Sequence, residues 1–146
     1  MWPSKKLWSR GAALSPVEWR YLARAAYELL QARVRFAMTS PGKIIKSFPE
    51  PSEAPSDVAA SNVVDLALMS WAIVAVSQRV PWRSDCLLRA MAADQWLRRY
   101  GLRGEFYLGV ANDPRGTFSA HAWLRCGGLT IAGGATDGFT ALIGHR

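Results

Sequence analysis

The stretch SDCLLRAMAADQWLRRY, residues 84–100, predicts an amphipathic helix that begins beside a cysteine. Its apolar residues recur at the helical period, and Arg98 and Arg99 in the last turn suit the helix dipole. Cys86 therefore lies in the first turn, where unpaired N–H groups and the positive end of the dipole favour a reactive thiolate. The backbone N–H of Cys86 is itself a candidate oxyanion donor, because its position leaves it without an intrahelical partner.

After this helix the apolar period changes from that of a helix to that of a strand. Alternating runs predict strands at 105–110, 119–126 and 129–132, and the tail at 139–143 is a candidate fourth strand. Glycine-rich turns separate these runs, which predicts an antiparallel meander. Helices first and an antiparallel sheet afterwards predict an α+β fold.

The first half of the chain is predicted to be helical. Ser15, Pro16 and Glu18 form a capping-box pattern ahead of an apolar stripe, which predicts an N-terminal helix at 15–38. The segment 39–56 holds four prolines and one glycine and is predicted to be a linker or loop. The segment 57–79 is apolar nearly all round, which predicts a buried helix and leaves a weak membrane association open.

Length and composition predict one cytoplasmic domain spanning 1–146. The chain has 146 residues, half of them apolar, and no signal segment is visible at its start. Its net charge of +7 is spread along the chain without a nucleic-acid-binding motif, so we expect no nucleic-acid partner. Two cysteines and two histidines without ligand spacing predict no metal site, while a Cys86–Cys126 disulfide stays open.

Cys86 and His121 are the candidate catalytic pair. A thiol at a helix start and an imidazole in a neighbouring strand are the groups that cysteine acyl transfer needs. The alternative is a core cysteine and an inward-facing histidine without chemistry, because cysteine is among the most buried residue types. Cys126 lies five positions beyond His121, so strand alternation puts it on the opposite face, where we expect it to pack.

The order of these elements resembles the papain-like transglutaminase core. Four blocks sharpen the resemblance to the protease domain of lasso-peptide biosynthesis: VPWRSDCLLRAMA at 80–92, WLRRYG at 96–101, LGV at 108–110 and AHAWL at 120–124. The resemblance extends over about residues 80–143, and it implies that 80–146 is a transglutaminase-like catalytic core. The helical first half is similar to the segment that precedes this core in the family.

The resemblance implies a stand-alone cysteine peptidase that removes the leader from a ribosomally made lasso precursor peptide. Cys86 would attack the scissile carbonyl, and His121 would act as base and then as acid. The implied partners are the precursor leader, a separate leader-recognition protein and an ATP-dependent cyclase that closes the macrolactam, and no cofactor is implied. Two alternatives stay open: another acyl-transfer or amide-hydrolysing enzyme on the same core, and a scaffold that binds the precursor or the cyclase without cutting.

The third catalytic residue departs from the family pattern. The family places an Asp about a dozen residues beyond the histidine, but residues 131–134 contain no carboxylate. Asp137 is the candidate, although it is equally typical of a turn residue, and without it a main-chain carbonyl or water must orient His121. Trp82 and Trp123 flank the pair and are candidates for peptide binding, with core packing as the alternative.

Overall fold

The structure is a computed structural model that describes residues 14–48, 60–82, 85–112, 114–134 and 139–143. The side chains of 60–65 and 141–143 are outside this description. In the described part of the chain, four helices precede four strands: α1 (Pro16–Met38), α2 (Pro41–Ser47), α3 (Ala60–Ser77), α4 (Cys86–Arg99), β1 (Glu105–Asn112), β2 (Phe118–Cys126), β3 (Leu129–Ala132) and β4 (Thr140–Ile143). The predicted α+β class is confirmed.

Helix α1 begins at the capping box that the sequence indicates. The backbone N–H of Glu18 donates to the Ser15 hydroxyl at 3.2 Å, and the backbone N–H of Ser15 donates to the Glu18 carboxylate at 2.6 Å. These bonds satisfy two of the donors that a helix start leaves unpaired. The inner face of α1 then packs against α3 and α4, with Leu22 and Leu29 buried in it.

Helix α2 lies inside the segment 39–56, for which we predicted a linker or loop and no helix. Ser40 takes the N-cap position and Pro41 the first turn, where proline is well tolerated. Ile44 is buried in a cluster with residues of α1 and α4, which anchors the short helix. Residues 49–56, the rest of the predicted loop, lie outside the described residues.

Helix α3 supplies the central apolar element. Met69, Ala72 and Ile73 are almost completely buried, and the helix contacts α1, α4 and β3. Its predicted start at residue 57 lies outside the described residues. Among the helices that are described, none has the combined length and apolar character required to cross a membrane.

The four strands form one antiparallel sheet in the order β3-β2-β1-β4. Strand β1 pairs with β2 along the whole length of β1, whereas β3 pairs with β2 only from Leu124 to Cys126. Ala122, Leu124 and Cys126 share one face of β2 and are buried in the main core. Helix α4 packs on β2, so the start of α4 is held beside this strand.

The two leucines in the middle of α1 give a matched test of this packing. Leu29 is completely buried, whereas its neighbour Leu30 is 48% exposed. We expect Leu29→Ala to lower the free energy of unfolding by about 2–5 kcal/mol, because it leaves a cavity in the core. Leu30→Ala should change it by about 0.5 kcal/mol or less. Urea unfolding measures both values, and equal losses would contradict the assigned inner face of α1.

Candidate active site

Cys86 is the first residue of α4, as the sequence predicts. The carbonyl of Asp85 accepts a hydrogen bond from the backbone N–H of Arg89 at 3.0 Å, which opens the helical hydrogen-bond pattern. The backbone N–H groups of Cys86 and the two residues after it therefore have no partner within the helix. The Asp85 side chain does not cap them either. These donors give the helix start the partial positive charge that suits an oxyanion.

The thiol of Cys86 lies beside the peptide bond that joins His121 to Ala122. The backbone N–H of Ala122 donates to the sulfur, with 3.4 Å between the two heavy atoms. Because β3 pairs with β2 only from Leu124 onward, it offers the Ala122 N–H no partner, and the sulfur takes that place. Cys86 is partly exposed and packs against the edge of the main core. The structure thus places the thiol against the backbone of the residue after His121, and the catalytic pairing of the two side chains stays a prediction.

The imidazole of His121 is held by a main-chain carbonyl. Its Nε2 lies 2.6 Å from the carbonyl oxygen of Gly133, twelve residues further along the chain. A carbonyl oxygen only accepts hydrogen bonds, so Nε2 must carry the proton in this arrangement. In the neutral ring this leaves Nδ1 as the nitrogen that can accept a proton. The tautomer of His121 is therefore fixed by a group without charge.

Gly133 is in a conformation that requires glycine. Its φ is +108°, a region that residues with a side chain rarely adopt. A Cβ atom built there would collide with the Cβ of Trp123 and would lie 2.7 Å from the Cα of that residue. Position 133 therefore has no room for a carboxylate side chain of its own. It orients His121 through its backbone instead.

Trp123 is packed into the sheet and presents almost no surface to a peptide. It is 7% exposed, and its ring stacks on Tyr107 with 5.6 Å between the ring centroids. Gly109, which is paired with His121 across the two strands, leaves room for this ring, because a Cβ there would lie 2.7 Å from it. Of the two roles considered for Trp123, core packing is the one that its burial supports. Phe139 flanks His121, with 4.9 Å between the ring centroids.

Trp82 has a different environment. It is partly exposed, but its indole Nε1 is buried and finds no acceptor in the described part of the chain. Trp82 remains a candidate peptide-binding residue.

The third candidate catalytic residue, Asp137, lies outside the described residues, which leave out 135–138. Among the described residues, the Gly133 carbonyl holds the imidazole, and a role for Asp137 stays a prediction. The sequence predicts an orienting main-chain carbonyl only in general terms. The one signal in the sequence was the Gly133-Gly134 pair, because consecutive glycines indicate backbone in the left-handed region.

Cys126 is a packing residue, on the face of β2 opposite to His121. It is 1% exposed, and burial, with the nearby charge of Glu105, raises the pKa of its thiol above the ordinary value. Both cysteines are free thiols, so no disulfide joins them. Within the described ranges, no group of three or more potential metal-ligating side chains occurs.

The exposed end of β2 was missed by the sequence analysis. Phe118 is 65% exposed and begins the strand that carries His121. Phe118 and Ala120 continue the face of β2 that carries Ala122, but unlike Ala122 they are exposed to solvent. The next residue on this face, Ala122, donates its backbone N–H to the Cys86 sulfur. Surface aromatics of this kind are not distinguishable from core aromatics by strand alternation alone.

Comparison with known proteins gives one match. A family profile described as the transglutaminase-like superfamily matches residues 26–144, which include α4, the whole sheet and both residues of the candidate pair. No curated protein and no solved structure matches the chain.

The tautomer of His121 can be tested in solution. Long-range ¹⁵N–¹H spectra of a His145→Gln protein, which has one histidine, should show His121 with its proton on Nε2. Gly133→Ala should disturb this state, because the new Cβ displaces the carbonyl. Gly134→Ala is the matched control, since Gly134 also has a positive φ but nothing lies within 4 Å of its Cβ position. An Nδ1–H tautomer in the parent protein would contradict the assigned contact.

The two thiols should differ in reactivity. We expect iodoacetamide at neutral pH to modify Cys86 at least about tenfold faster than Cys126, which is buried and has a raised pKa. Peptide mass spectrometry over time measures the two rates separately. In urea the difference should disappear, which serves as the control. Equal rates in the folded protein would contradict the assigned environments.

Proposed function

The chain belongs to the transglutaminase-like superfamily, and on that premise we propose that it is a cysteine peptidase that removes the leader from a ribosomally made lasso precursor peptide. The superfamily indicates cysteine-dependent peptidase or acyl-transfer chemistry. The choice of a lasso leader as substrate rests on the sequence blocks around Cys86 and His121. The observation that carries the chemistry is the Cys86 sulfur beside the His121 backbone, with the imidazole held in one tautomer.

The first half of the proposed reaction forms the acyl-enzyme. Nδ1 of His121 takes the thiol proton, and the Cys86 sulfur attacks the scissile carbonyl carbon. The negative charge that develops on the carbonyl oxygen is stabilised by the backbone N–H of Cys86 and the start of α4. The protonated imidazole then donates its Nδ1 proton to the leaving amine. The C–N bond breaks and a thioester remains on Cys86.

The second half releases the leader. His121 removes a proton from water, which attacks the thioester carbonyl, and the same proton returns to the departing thiolate. The products are a leader with a free carboxylate and a core peptide with a free amino group. That amino group is the nucleophile a macrolactam-forming cyclase needs. The proposed partners are therefore the separate leader-recognition protein and the ATP-dependent lasso cyclase, and the proposed location is the cytoplasm.

The substrate has a plausible path along β2. An extended peptide beside Phe118 and Ala120 would reach Cys86 from the exposed end of the strand. Added main-chain hydrogen bonds along a strand edge are a common way to bind peptides. The partly exposed Trp82, four residues before Cys86, is a candidate contact for the same peptide.

One observation favours a second candidate, the non-catalytic scaffold. Among the described residues, the acceptor that holds His121 is a neutral carbonyl, which stabilises an imidazolium less than a carboxylate does. A chain that bound precursor or cyclase without cutting would not need a charged partner for His121.

Substitution of the cysteines separates these candidates. We expect Cys86→Ala to lower the rate of leader removal by on the order of 10⁴-fold or more, because the nucleophile is lost. Cys126→Ala should retain most of the activity, since that thiol is buried on the face of β2 opposite to the His121 side chain. The assay incubates precursor, recognition protein and the chain together and follows the cleaved peptides by mass spectrometry.

The products distinguish three outcomes. Leader and core peptides that disappear with Cys86→Ala support the peptidase. A leader joined to an added amine identifies acyl transfer instead of hydrolysis. Unchanged processing by Cys86→Ala would overturn the proposal in favour of the scaffold.

A further inference from the structure

A groove of about 720 Å³ lies between the first half of α1 and the last turn of α4. It lies away from the candidate active site. Its walls are basic and aromatic, and they are formed by Val17, Arg20, Tyr21, Ala23, Arg24, Tyr27, Trp96, Arg99 and Tyr100. None of these nine residues is acidic.

The charge of the groove comes from three arginines. Among the described residues, one carboxylate opposes them: Glu28 is fully buried, and its Oε1 accepts from the Nε of Arg24 at 2.8 Å and from the Nε of Arg99 at 3.0 Å. Arg20 lies one turn before Arg24 and is exposed. A single carboxylate cannot neutralise three guanidinium groups, so the groove keeps an excess of positive charge.

Two of the arginines are fixed side by side. The guanidinium groups of Arg24 and Arg99 lie 5.5 and 5.6 Å from the ring centroid of Tyr27. Gln31 accepts from Arg99 at 2.9 Å and donates to the Tyr27 hydroxyl at 2.6 Å, which fixes the ring and one guanidinium together. Like charges held this close repel each other unless an anion lies between them.

Glu28 only partly supplies that anion. Both of its ion pairs use the same oxygen, Oε1, while the buried Oε2 has no partner among the described residues. A buried carboxylate oxygen without a partner is unfavourable, so the stability of the fold alone would not favour this geometry of Glu28. It holds the two guanidinium groups together while parts of both side chains, 39% and 44% exposed, stay open to solvent.

We propose that this groove docks an acidic segment of the peptide substrate. Carboxylates of the segment pair with Arg20, Arg24 and Arg99, whose planar guanidinium groups suit carboxylate oxygens. Apolar side chains of the segment pack on the exposed parts of Val17 and Tyr100, which are 51% and 58% exposed. Naming the occupant as the substrate rests on the proposed function, but binding itself is measured without cleavage, because the groove lies at the opposite end of α4 from Cys86.

The aromatic residues favour a peptide over a nucleic acid. Single-stranded nucleic acids bind to basic grooves by stacking bases on open aromatic faces. Here the Tyr27 ring faces two guanidinium groups, and the Tyr21 ring packs against Trp96, which is 1% exposed. These two rings are already used within the protein, and Tyr100 is left as an open face in the groove, whereas strand binding stacks successive bases on several rings.

Direct binding tests the proposal. The probe is a short fluorescein-labelled peptide that alternates glutamate and leucine, and its fluorescence anisotropy is measured with the full chain at low salt. We expect saturable binding that weakens as salt is added. The same peptide with glutamine in place of glutamate should not bind. Failure of the acidic peptide to bind would overturn the proposal.

Charge reversal at matched positions locates the site. Arg20→Glu should weaken binding at least about tenfold. Arg33→Glu makes the same change in the charge of α1 at an exposed position outside the groove, so it should change affinity less than about twofold. Equal effects of the two variants would show attraction by net charge and would overturn the docking site.

Glu28→Gln separates an organised site from general attraction. This variant raises the net charge of the chain, so attraction by charge alone would strengthen binding. An organised site predicts the opposite, because Arg24 and Arg99 lose the charged oxygen that holds them together. Weaker binding supports the proposal and stronger binding overturns it. Binding of an oligo(dT) strand or of anionic lipid vesicles that Arg20→Glu abolishes, in place of peptide binding, would also overturn it.

Discussion

The packing of α4 against β2 is the constraint on which the candidate site depends. The buried side of α4 includes Ala90, Ala93 and Leu97, which share one core with Ala122 and Leu124 of β2. The alanines have no bulk to hold the helix away from the strand. A shift of one residue would turn the helix by about 100° and move the cysteine away from the strand. Core packing thus fixes the position of a reactive group that takes little part in the core.

The imidazole depends on a second constraint, the backbone path after β3. Gly133 can present its carbonyl to His121 because it has no side chain to collide with Trp123. A neutral acceptor contributes about 0.5–1.5 kcal/mol, against about 1.5–3 kcal/mol for a charged one. The contact therefore selects a tautomer and a ring orientation, while it stabilises the imidazolium only modestly. A site built in this way relies on rigid packing where other sites rely on charge.

Much of this arrangement could be predicted because its signals are local. The capping box of α1, the period of α4 and the alternation in β2 each depend on residues a few positions apart. The pair of Cys86 and His121 followed from those elements. Helix α2 could not be predicted from the sequence, because Ser40 and Pro41 are equally typical of a loop and of a helix start. The burial of Ile44 decides between these, and burial is a property of the folded chain.

The contacts of His121 were less accessible to sequence analysis for another reason. Every residue carries a main-chain carbonyl, so an orienting carbonyl has no sequence signature of its own. The burial of Trp123 depends on the register between β1 and β2, which sets Tyr107 and Gly109 opposite Trp123 and His121. Register is a long-range property, and a shift of one residue would have exposed the same tryptophan.

Helix α4 connects the candidate active site to the basic groove, because its 14 residues begin at the Cys86 thiol and end at the groove. At 1.5 Å per residue the two ends are about 20 Å apart. An extended chain needs at least about six residues to cover that distance. A peptide docked in the groove by its acidic segment would therefore place at Cys86 only bonds that lie beyond such a spacer. If the peptide docks at one end of α4 and is cleaved at the other, the length of the helix helps to determine which bond is cut. Docking would also raise the effective concentration of that scissile bond at Cys86.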